Sequence, residues 1–503
     1  MTSKYHSTRS CGHEVTAKRA ILDGLAPDGG LYVTDTLGET RIDLSNLIAT
    51  RRNGGYLSVA QSILSTLLDD YTPEEMHACV QEAYCNTFES DDVTPVVSVG
   101  DDWVLELFHG PTSAFKDVAL QMLPRLMSRA SAHSDERTMI LTATSGDTGK
   151  AALAGFADVE GIGICVFYPQ GGTSEIQRLQ MVTQKGNNVA VAAVRGNFDD
   201  AQSGVKRIFG DAELAGRLAS QHITLSSANS INIGRLAPQV AYYFDAYAQL
   251  VIKGVIKQGA TLDLCVPTGN FGDVLAGYYA KRMGLPVDKL IVASNANNVL
   301  TDFLSTGIYD RNRPFFKTIS PSMDILISSN LERLLYYESD GDCDLVQHLM
   351  NDLSATGRYK VPKELLMRIQ KTFLCGFASD EEARASIRRV FDMHGYLMDP
   401  HTAVAWHVSQ GIEKSAGTER VVLSTASPYK FCQDVCEALE IEVHGNDFAA
   451  MRALEAAQAH GGALPCTAPA ALASLEHAQV RFNDVLDVRD MSAYVEQKSG
   501  ELL

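Results

Sequence analysis

The chain has 503 residues, 45% hydrophobic and 21% charged, and lacks any run of the roughly 18 apolar residues a membrane span needs, so a soluble protein of about three ordinary domains or two large ones is expected. Forty-three Lys and Arg against 61 Asp and Glu leave a formal charge of −18; with no basic patch visible, nucleic acid is not expected as a partner, although a locally positive pocket could still hold a small anion. Ten cysteines, Cys11 to Cys466, contain no CxxC pair and read as core residues of a reducing compartment, not as a disulfide framework or zinc site; MTSKYHSTRSCGHE carries no apolar signal segment, so the expected location is cytoplasmic.

In chain order, residues 1–92 combine turn-rich GLAPDGGLYV with helical YLSVAQSILSTLLDDY, which predicts a small, mainly helical N-terminal cap. HGPTSAFKDVALQ, residues 109 to 121, then places Lys116 where a loop becomes a helix. Ala119, Leu120, Leu123 and Met127 recur at helical spacing and put Lys116 on the buried stripe, trustworthy as far as Leu123, because Pro124 kinks or restarts the helix. A buried unpaired ammonium is expensive, so such a lysine snorkels, pairs with a carboxylate, or acquires a lowered pKa and becomes a nucleophile.

From residue 137 apolar and helical segments alternate: TMILTAT, KAALAGFADV, IGICVFYP, SEIQRLQMVTQ, NNVAVAAV and DAQSGVKRIFG. Later, TLDLCVP leads through TGNFGD into DVLAGYYAKRMG, and RVVLSTA through SPYK into FCQDVCEALE. Strands alternating with helices over short connections predict an α/β fold with open, mostly parallel sheets flanked by helices. The expected divisions are a smaller α/β domain over 93–255 and a larger one over 256–503, the latter with a mostly helical insertion at about 300–415.

Each strand-loop-helix turn aims backbone N–H groups and the positive end of a helix dipole beyond the strand ends. TATSGDTGK (142 to 150) is not a nucleotide phosphate loop, since Thr144 replaces its first glycine and Ala151 follows Lys150. PTGNFGD (267 to 273) has glycines at 269 and 272 that let main chain approach an anion closely, RGNFDD (195 to 200) reads as a helix cap, and STASPYK (424 to 430) sets three hydroxyls beyond a strand end. Lys150 reads as a solvated lysine near a helix start, and His401, beside Pro400, as a structural turn histidine without a partner nearby in sequence. A core-aimed lysine with several anion-cradling turns and no metal or dinucleotide signature suits pyridoxal phosphate, which needs an amine, a phosphate cup and a partner for its ring nitrogen.

YHSTRS, GLAPDGGLYV, ELFHGPTSAFKDVALQ, TATSGDTGKAAL, SSANSINIGRLAPQ, VPTGNFGDVLAGYYAKRMG, MDPHTAVAW and LSTASPYKF together resemble the longer form of the threonine synthase family, within the β-family (tryptophan-synthase-like) of pyridoxal phosphate enzymes, over nearly the whole chain. The resemblance implies a tryptophan synthase β-like fold with Lys116 as the Schiff-base lysine, and Gly269, Asn270, Phe271, Gly272 and Asp273 as the phosphate cup. It further implies Asp147 near the cofactor's 3′-hydroxyl, Thr425 at its ring nitrogen, Ser145 and Thr148 at the substrate carboxylate, and Asn232 and Arg235, with Lys430 as a weaker candidate, at the substrate phosphate. For Arg235 the alternative is an exposed helix salt bridge. Ser427 and Tyr429 stand where many members carry a His and a small residue, so the resemblance gives the side chain at 427 no acid-base role. The implied reaction converts O-phospho-L-homoserine and water to L-threonine and phosphate in a monomer or homodimer; the alternatives are a phospholyase releasing 2-oxobutyrate and a non-catalytic cofactor-binding relative.

Overall fold

A computed structural model of the chain describes residues 3–132, 134–144, 146–461 and 467–503. Strands Asp484–Leu486, Val189–Val194, Ile162–Pro169, Arg137–Ala143 and Ile223–Ser227 form, in that order, a five-stranded, wholly parallel sheet. Every residue of Ile162–Pro169 is buried. Its alternate side chains enter different cores: Ile164 and Val166 join the main one, while Cys165 and Phe167 join a second closed by Met491 and Tyr494 of the C-terminal helix. Burial on both faces is why such strands read as unbroken apolar runs.

The second sheet has six strands in the order Phe373–Phe377, Val287–Ser294, Leu262–Pro267, Glu419–Ser424, Asp102–Glu106 and Val96–Val99, parallel except for the last, which pairs antiparallel with its neighbour. The sheets cut across the sequence divisions predicted above. Val96–Val99 and Asp102–Glu106, from the 93–255 block, complete the six-stranded sheet, and Asp484–Leu486, from the 256–503 block, edges the five-stranded one. The stretch 300–415 supplies six helices, among them Asp380–His394 and Pro400–Gln410, but also the edge strand Phe373–Phe377 and a small antiparallel pair, Ile308–Asp310 with Arg358–Lys360.

At the N-terminus, helix Leu44–Leu67, interrupted at Gly55 (φ 63°), packs along the buried helix Ile233–Ile252. Helix Pro73–Tyr84 starts in a reciprocal cap between Thr72 and Glu75. Beside them Tyr5–Ser7 pairs antiparallel with Ser10–Val15 and with Tyr32–Val33. Cys11 of this small sheet is disulfide-bonded to Cys343, the first residue of helix Cys343–Thr356, which corrects the expectation that all ten cysteines are unpaired core residues. A sequence separation of 332 left no local spacing to reveal the pair. No helix among the described residues is long and apolar enough to cross a membrane.

Helix Lys116–Ser131 runs through Pro124 without a break and is buried at every position from Lys116 to Pro124, so it is a central helix rather than one with a single apolar stripe. Pro124 has no N–H to offer the Leu120 carbonyl one turn back. Gly155 of helix Asp147–Phe156 sits against that carbonyl: a Cβ there would lie 1.8 Å from the Leu120 oxygen. Arg125, beside the proline, donates from Nη1 to the Gly155 carbonyl at 2.6 Å.

Candidate active site

Lys116 opens its helix from a loop tied to the end of strand Glu419–Ser424. The Phe115 N–H donates to the Thr425 carbonyl (2.9 Å), the Ser427 N–H to the Ser113 carbonyl (3.1 Å), and Ala114 bridges Ala426. Asp117 closes the loop from within, accepting from the Thr112 hydroxyl at 2.6 Å and the Thr112 N–H at 2.8 Å. The Lys116 amine is thus carried to the carboxyl end of the six-stranded sheet, where parallel sheets hold ligands. Burial, together with Lys430 and Arg235 nearby and only partly offset by Asp147, pushes Lys116 down to about 8.

Asp147, first residue of helix Asp147–Phe156, is buried with three partners. Lys430 Nζ lies 2.6 Å from Oδ1, Gln177 Nε2 donates to Oδ1 at 3.0 Å, and the Ser322 hydroxyl donates to Oδ2 at 3.1 Å; Lys116 Nζ is 3.8 Å away. Burial alone would raise this carboxyl, but Lys430 and Lys116 outweigh it and hold it well below the usual range. Thr148 follows in the first turn, half-buried, and the Thr144 hydroxyl accepts from the N–H groups of Gly146 and Gly149 (3.0 Å each), folding the loop back on itself. Ser145 lies outside the described residues.

The segment Gly269 to Asp273 is built differently. Its carbonyls are occupied: that of Gly269 accepts from the Ser328 hydroxyl (2.8 Å), that of Asn270 from the Asn330 N–H (3.1 Å) and Nδ2 (3.2 Å). Among the described residues the N–H groups of Asn270, Phe271 and Gly272 have no acceptor, and helix Gly272–Arg282 begins with no side-chain cap. Phe271 holds this turn in left-handed backbone (φ 62°), its ring packed on Phe373. A side chain at Gly269 would press on the neighbouring turn, because a Cβ would meet the Ser322 carbonyl oxygen at 3.0 Å and Met323 Cα at 3.2 Å. Asp273 turns its carboxylate away, accepting from the Tyr242 and Tyr243 hydroxyls at 2.5 and 2.7 Å, and burial raises it to about 6. Unpartnered amides at an open helix start, on a turn packed against the Ser322 that bonds a lysine of lowered basicity, fit a phosphate-bearing aldehyde such as pyridoxal phosphate.

Of the residues expected at a substrate phosphate, Asn232 has another use. It is fully buried, its Oδ1 caps helix Ile233–Ile252 through the Gly234 N–H (2.8 Å), and its Nδ2 donates to the Ile21 carbonyl (2.9 Å). Lys430 is taken up by Asp147 and by the Thr112 carbonyl (3.0 Å). Arg235, in contrast, is 3% exposed, so the exposed-salt-bridge alternative does not hold. Its Nη1 donates to the Ala228 carbonyl at 2.9 Å, its Nε has no partner, and it has no carboxylate partner among the described residues; burial lowers it to about 10. Thr425 is buried at the strand end, and Ser427 caps the turn Pro428–Lys430 through the Tyr429 N–H.

Besides Asn232, two further residues differ from the sequence reading. Lys150 is half-buried, donates to Gln184 Oε1 at 2.5 Å and is lowered to about 8 by burial, so it is not a solvated lysine. His401 lies in the first turn of helix Pro400–Gln410, and Asp399, two residues upstream, is the partner not recognised in the sequence: His401 Nδ1 is 2.7 Å from Asp399 Oδ1. RGNFDD is a cap, as read, with Asn197 and Asp200 reciprocally bonded at the start of Phe198–Phe209. Ser322 went unnoticed because only the fold brings residue 322 to residues 116 and 147.

The chain matches three family models in sequence order: threonine synthase N terminus over residues 4–84, pyridoxal-phosphate dependent enzyme over 99–348, and threonine synthase C-terminal over 402–495. It is 37% identical over 467 residues to threonine synthase of Saccharomyces cerevisiae, covering 86% of this chain and 89% of that protein. It is 39% identical over 452 residues to threonine synthase-like 1 of Homo sapiens, covering 86% of this chain but only 59% of that longer protein. Among solved structures, pyridoxal-phosphate-bound threonine synthase from Brucella melitensis superposes with a TM-score of 0.87 at 37% identity, covering 99% of this chain and 100% of that one. The yeast threonine synthase structure gives 0.86 at 33% identity, covering 99% of each chain.

Proposed function

Because the chain belongs to the threonine synthase family of pyridoxal-phosphate-dependent enzymes, we propose that it converts O-phospho-L-homoserine and water to L-threonine and phosphate. The observation that carries this reading is Arg235, a buried guanidinium with an unpartnered Nε, close enough to Lys116 to lower its proton affinity. An unpaired buried cation is costly to keep, and a phosphorylated substrate would supply the missing anion. With Lys116 and Lys430 it sets three cations beside the buried carboxylates Asp147, Asp117 and Asp273, a concentration of positive charge that a chain of formal charge −18 does not offer on average.

When bound, pyridoxal phosphate supplies an aldehyde for the substrate amine and an electron-accepting ring that lets the Cα proton leave. The amides of Asn270, Phe271 and Gly272 would hold its phosphate, Asp147 would face its 3′-hydroxyl, and Thr425 its ring nitrogen. Lys116, lowered to about 8, is available near neutral pH in both protonation states. Its amine would take protons from Cα and Cβ and deliver one to Cγ as phosphate departs. The first turn of the helix at Thr148 would orient the substrate carboxylate. Water then adds its oxygen at Cβ, and a proton returns to Cα. Over the turnover Cγ exchanges phosphate for hydrogen and Cβ exchanges hydrogen for hydroxyl, which balances substrate plus water against threonine plus phosphate.

The chain is as similar to threonine synthase-like 1 proteins, whose name states no reaction, as to threonine synthases, so a second reading is carried to the test: a phospholyase that releases 2-oxobutyrate and ammonia from the same substrate. Incubating the purified, cofactor-loaded protein with O-phospho-L-homoserine separates them: threonine and phosphate in equal amounts support the synthase, keto acid and ammonia in place of threonine reject it, and no turnover leaves a binding protein.

A further inference from the structure

Among the described residues, the hydrogen bond made by the Lys116 amine is to the hydroxyl of Ser322, at 3.4 Å. The Lys116 to Asp147 distance of 3.8 Å is too long for a direct hydrogen bond. Ser322 spans that gap, accepting from the lysine and donating to Asp147 Oδ2 at 3.1 Å. An ammonium only donates and a carboxylate only accepts, whereas a hydroxyl does both and can reverse its direction when the amine loses its proton.

The turn Pro321–Met323 that carries this hydroxyl is fixed from three sides. Asp324, just after it, accepts from the Thr318 N–H at 3.0 Å and from Asn295 Nδ2 at 2.8 Å. Gly269 of the 269–273 turn lies against its main chain. On the third side the Ser322 N–H donates to His401 Nε2 at 3.1 Å. An acceptor at Nε2 sets the proton on Nδ1, which donates to Asp399 Oδ1 at 2.7 Å. His401 and Asp399 are both buried, and the imidazole meets Phe431 edge-on at 5.0 Å. The imidazole therefore touches the main chain of Ser322 and not its hydroxyl, so this Ser, His and Asp are not arranged as a nucleophilic triad.

We propose that Ser322 is a positioning residue for the Lys116 amine, and that the Asp399–His401 pair acts through Ser322 by fixing the turn that carries it. The inference rests on Lys116 being the reactive amine and not on which product the enzyme releases. The charged groups that act on Lys116 are Asp147, Lys430, Arg235, Asp117 and, from the 269–273 turn, Asp273, none of which the variants below alter.

The full chain without cofactor is labelled with trace acetic anhydride across pH, and the peptides bearing Lys116 and the exposed Lys257 are quantified by mass spectrometry. Ser322→Ala removes a hydrogen bond to the charged amine, so the Lys116 midpoint is expected to fall by about half to one pH unit while that of Lys257 stays put. Ser322→Thr keeps a hydroxyl and is expected to restore the midpoint. His401→Ala is expected to shift it in the same direction, with the double variant shifting no further than Ser322→Ala alone. In the loaded enzyme Ser322→Ala is expected to lower kcat about tenfold with KM little changed. An unmoved Lys116 midpoint in Ser322→Ala, a Thr variant behaving like the Ala variant, or additive shifts in the double variant would each overturn the proposal. If His401→Ala does not fold, the two Ser322 variants still decide the role of the hydroxyl.

Discussion

The two ends of the candidate site use different materials. At the 269–273 turn the groups on offer are main-chain amides without acceptors among the described residues, while Ser328 and Asn330 occupy the carbonyls of Gly269 and Asn270. At the lysine end the two central groups are side chains held by other side chains: Lys116 by Ser322, Asp147 by Lys430 and Gln177. Amides carry a fixed partial charge and do not titrate between acidic and basic pH, which suits holding a phosphate. Side chains can gain and lose protons, which suits chemistry, but they are sensitive to any change in their neighbours.

The sharpest break of this contrast is Lys116→Ala. It is expected to lower turnover about a thousandfold or more while cofactor phosphate still binds at the amide end, checked by product formation and by equilibrium dialysis of the cofactor. Full activity in that variant would remove Lys116 from the chemistry. Next, Asp147→Asn leaves Lys430 buried without its anion and is expected to cost about 3–5 kcal/mol in urea unfolding. A loss under 1 kcal/mol would mean the pair is far better solvated than its burial indicates.

The third test is the pH dependence of cofactor-free protein. Lys116 sits at about 8 when folded against 10.5 unfolded, so between those values the unfolded chain binds more protons and folding stability rises with pH. Burial of the ammonium therefore destabilises the fold at pH 7 by about 3 kcal/mol, an effect relieved as pH climbs from about 8 to about 10.5. Lys116→Met is expected to be the more stable protein at pH 7 and to lose that advantage over the same range; a constant difference in urea midpoint would contradict the assigned shift. At the amide end the expected effect is smaller. Gly269→Ala pushes on the Ser322 turn and is expected to weaken cofactor binding about tenfold, by fluorescence titration. Gly272→Ala, whose Cβ would meet nothing nearer than 3.4 Å, is expected to change it less.

The same division explains what the sequence could show. Main-chain devices leave local marks: glycines around Asn270 and a run such as IGICVFYP are readable because one residue's neighbours in sequence are its neighbours in the turn or strand. Lys116 was legible in part, since the apolar residues of its own helix announce burial, although the helix is buried at every position from Lys116 to Pro124 and not along one stripe. What remained hidden depends on distant parts of the chain. Ser322 reaches Lys116 across 206 positions, and Cys11 reaches Cys343 across 332. Phe373–Phe377 is an edge strand paired with Val287–Ser294, a partner distant in sequence. Asn232 had the right neighbours in sequence for a substrate contact, yet its amide is engaged by the helix start and by Ile21, a partner in the N-terminal region that no local pattern announces. Asp399 is the exception, a local partner of His401 that two-residue spacing could have revealed.

The crossing of the Lys116 and Asp147 helices at Gly155 bears on the distance between their functional groups. Leu120, whose carbonyl faces Gly155, is one turn beyond Lys116, and Gly155 is a little over two turns beyond Asp147. The crossing therefore works as the fulcrum of two short levers, with the amine on one arm and the carboxylate on the other. A fulcrum made of bare main chain, with no side chain between the rods, has little slack. The gap that Ser322 bridges thus lies between the first residues of two helices that touch there, rather than between two free loops.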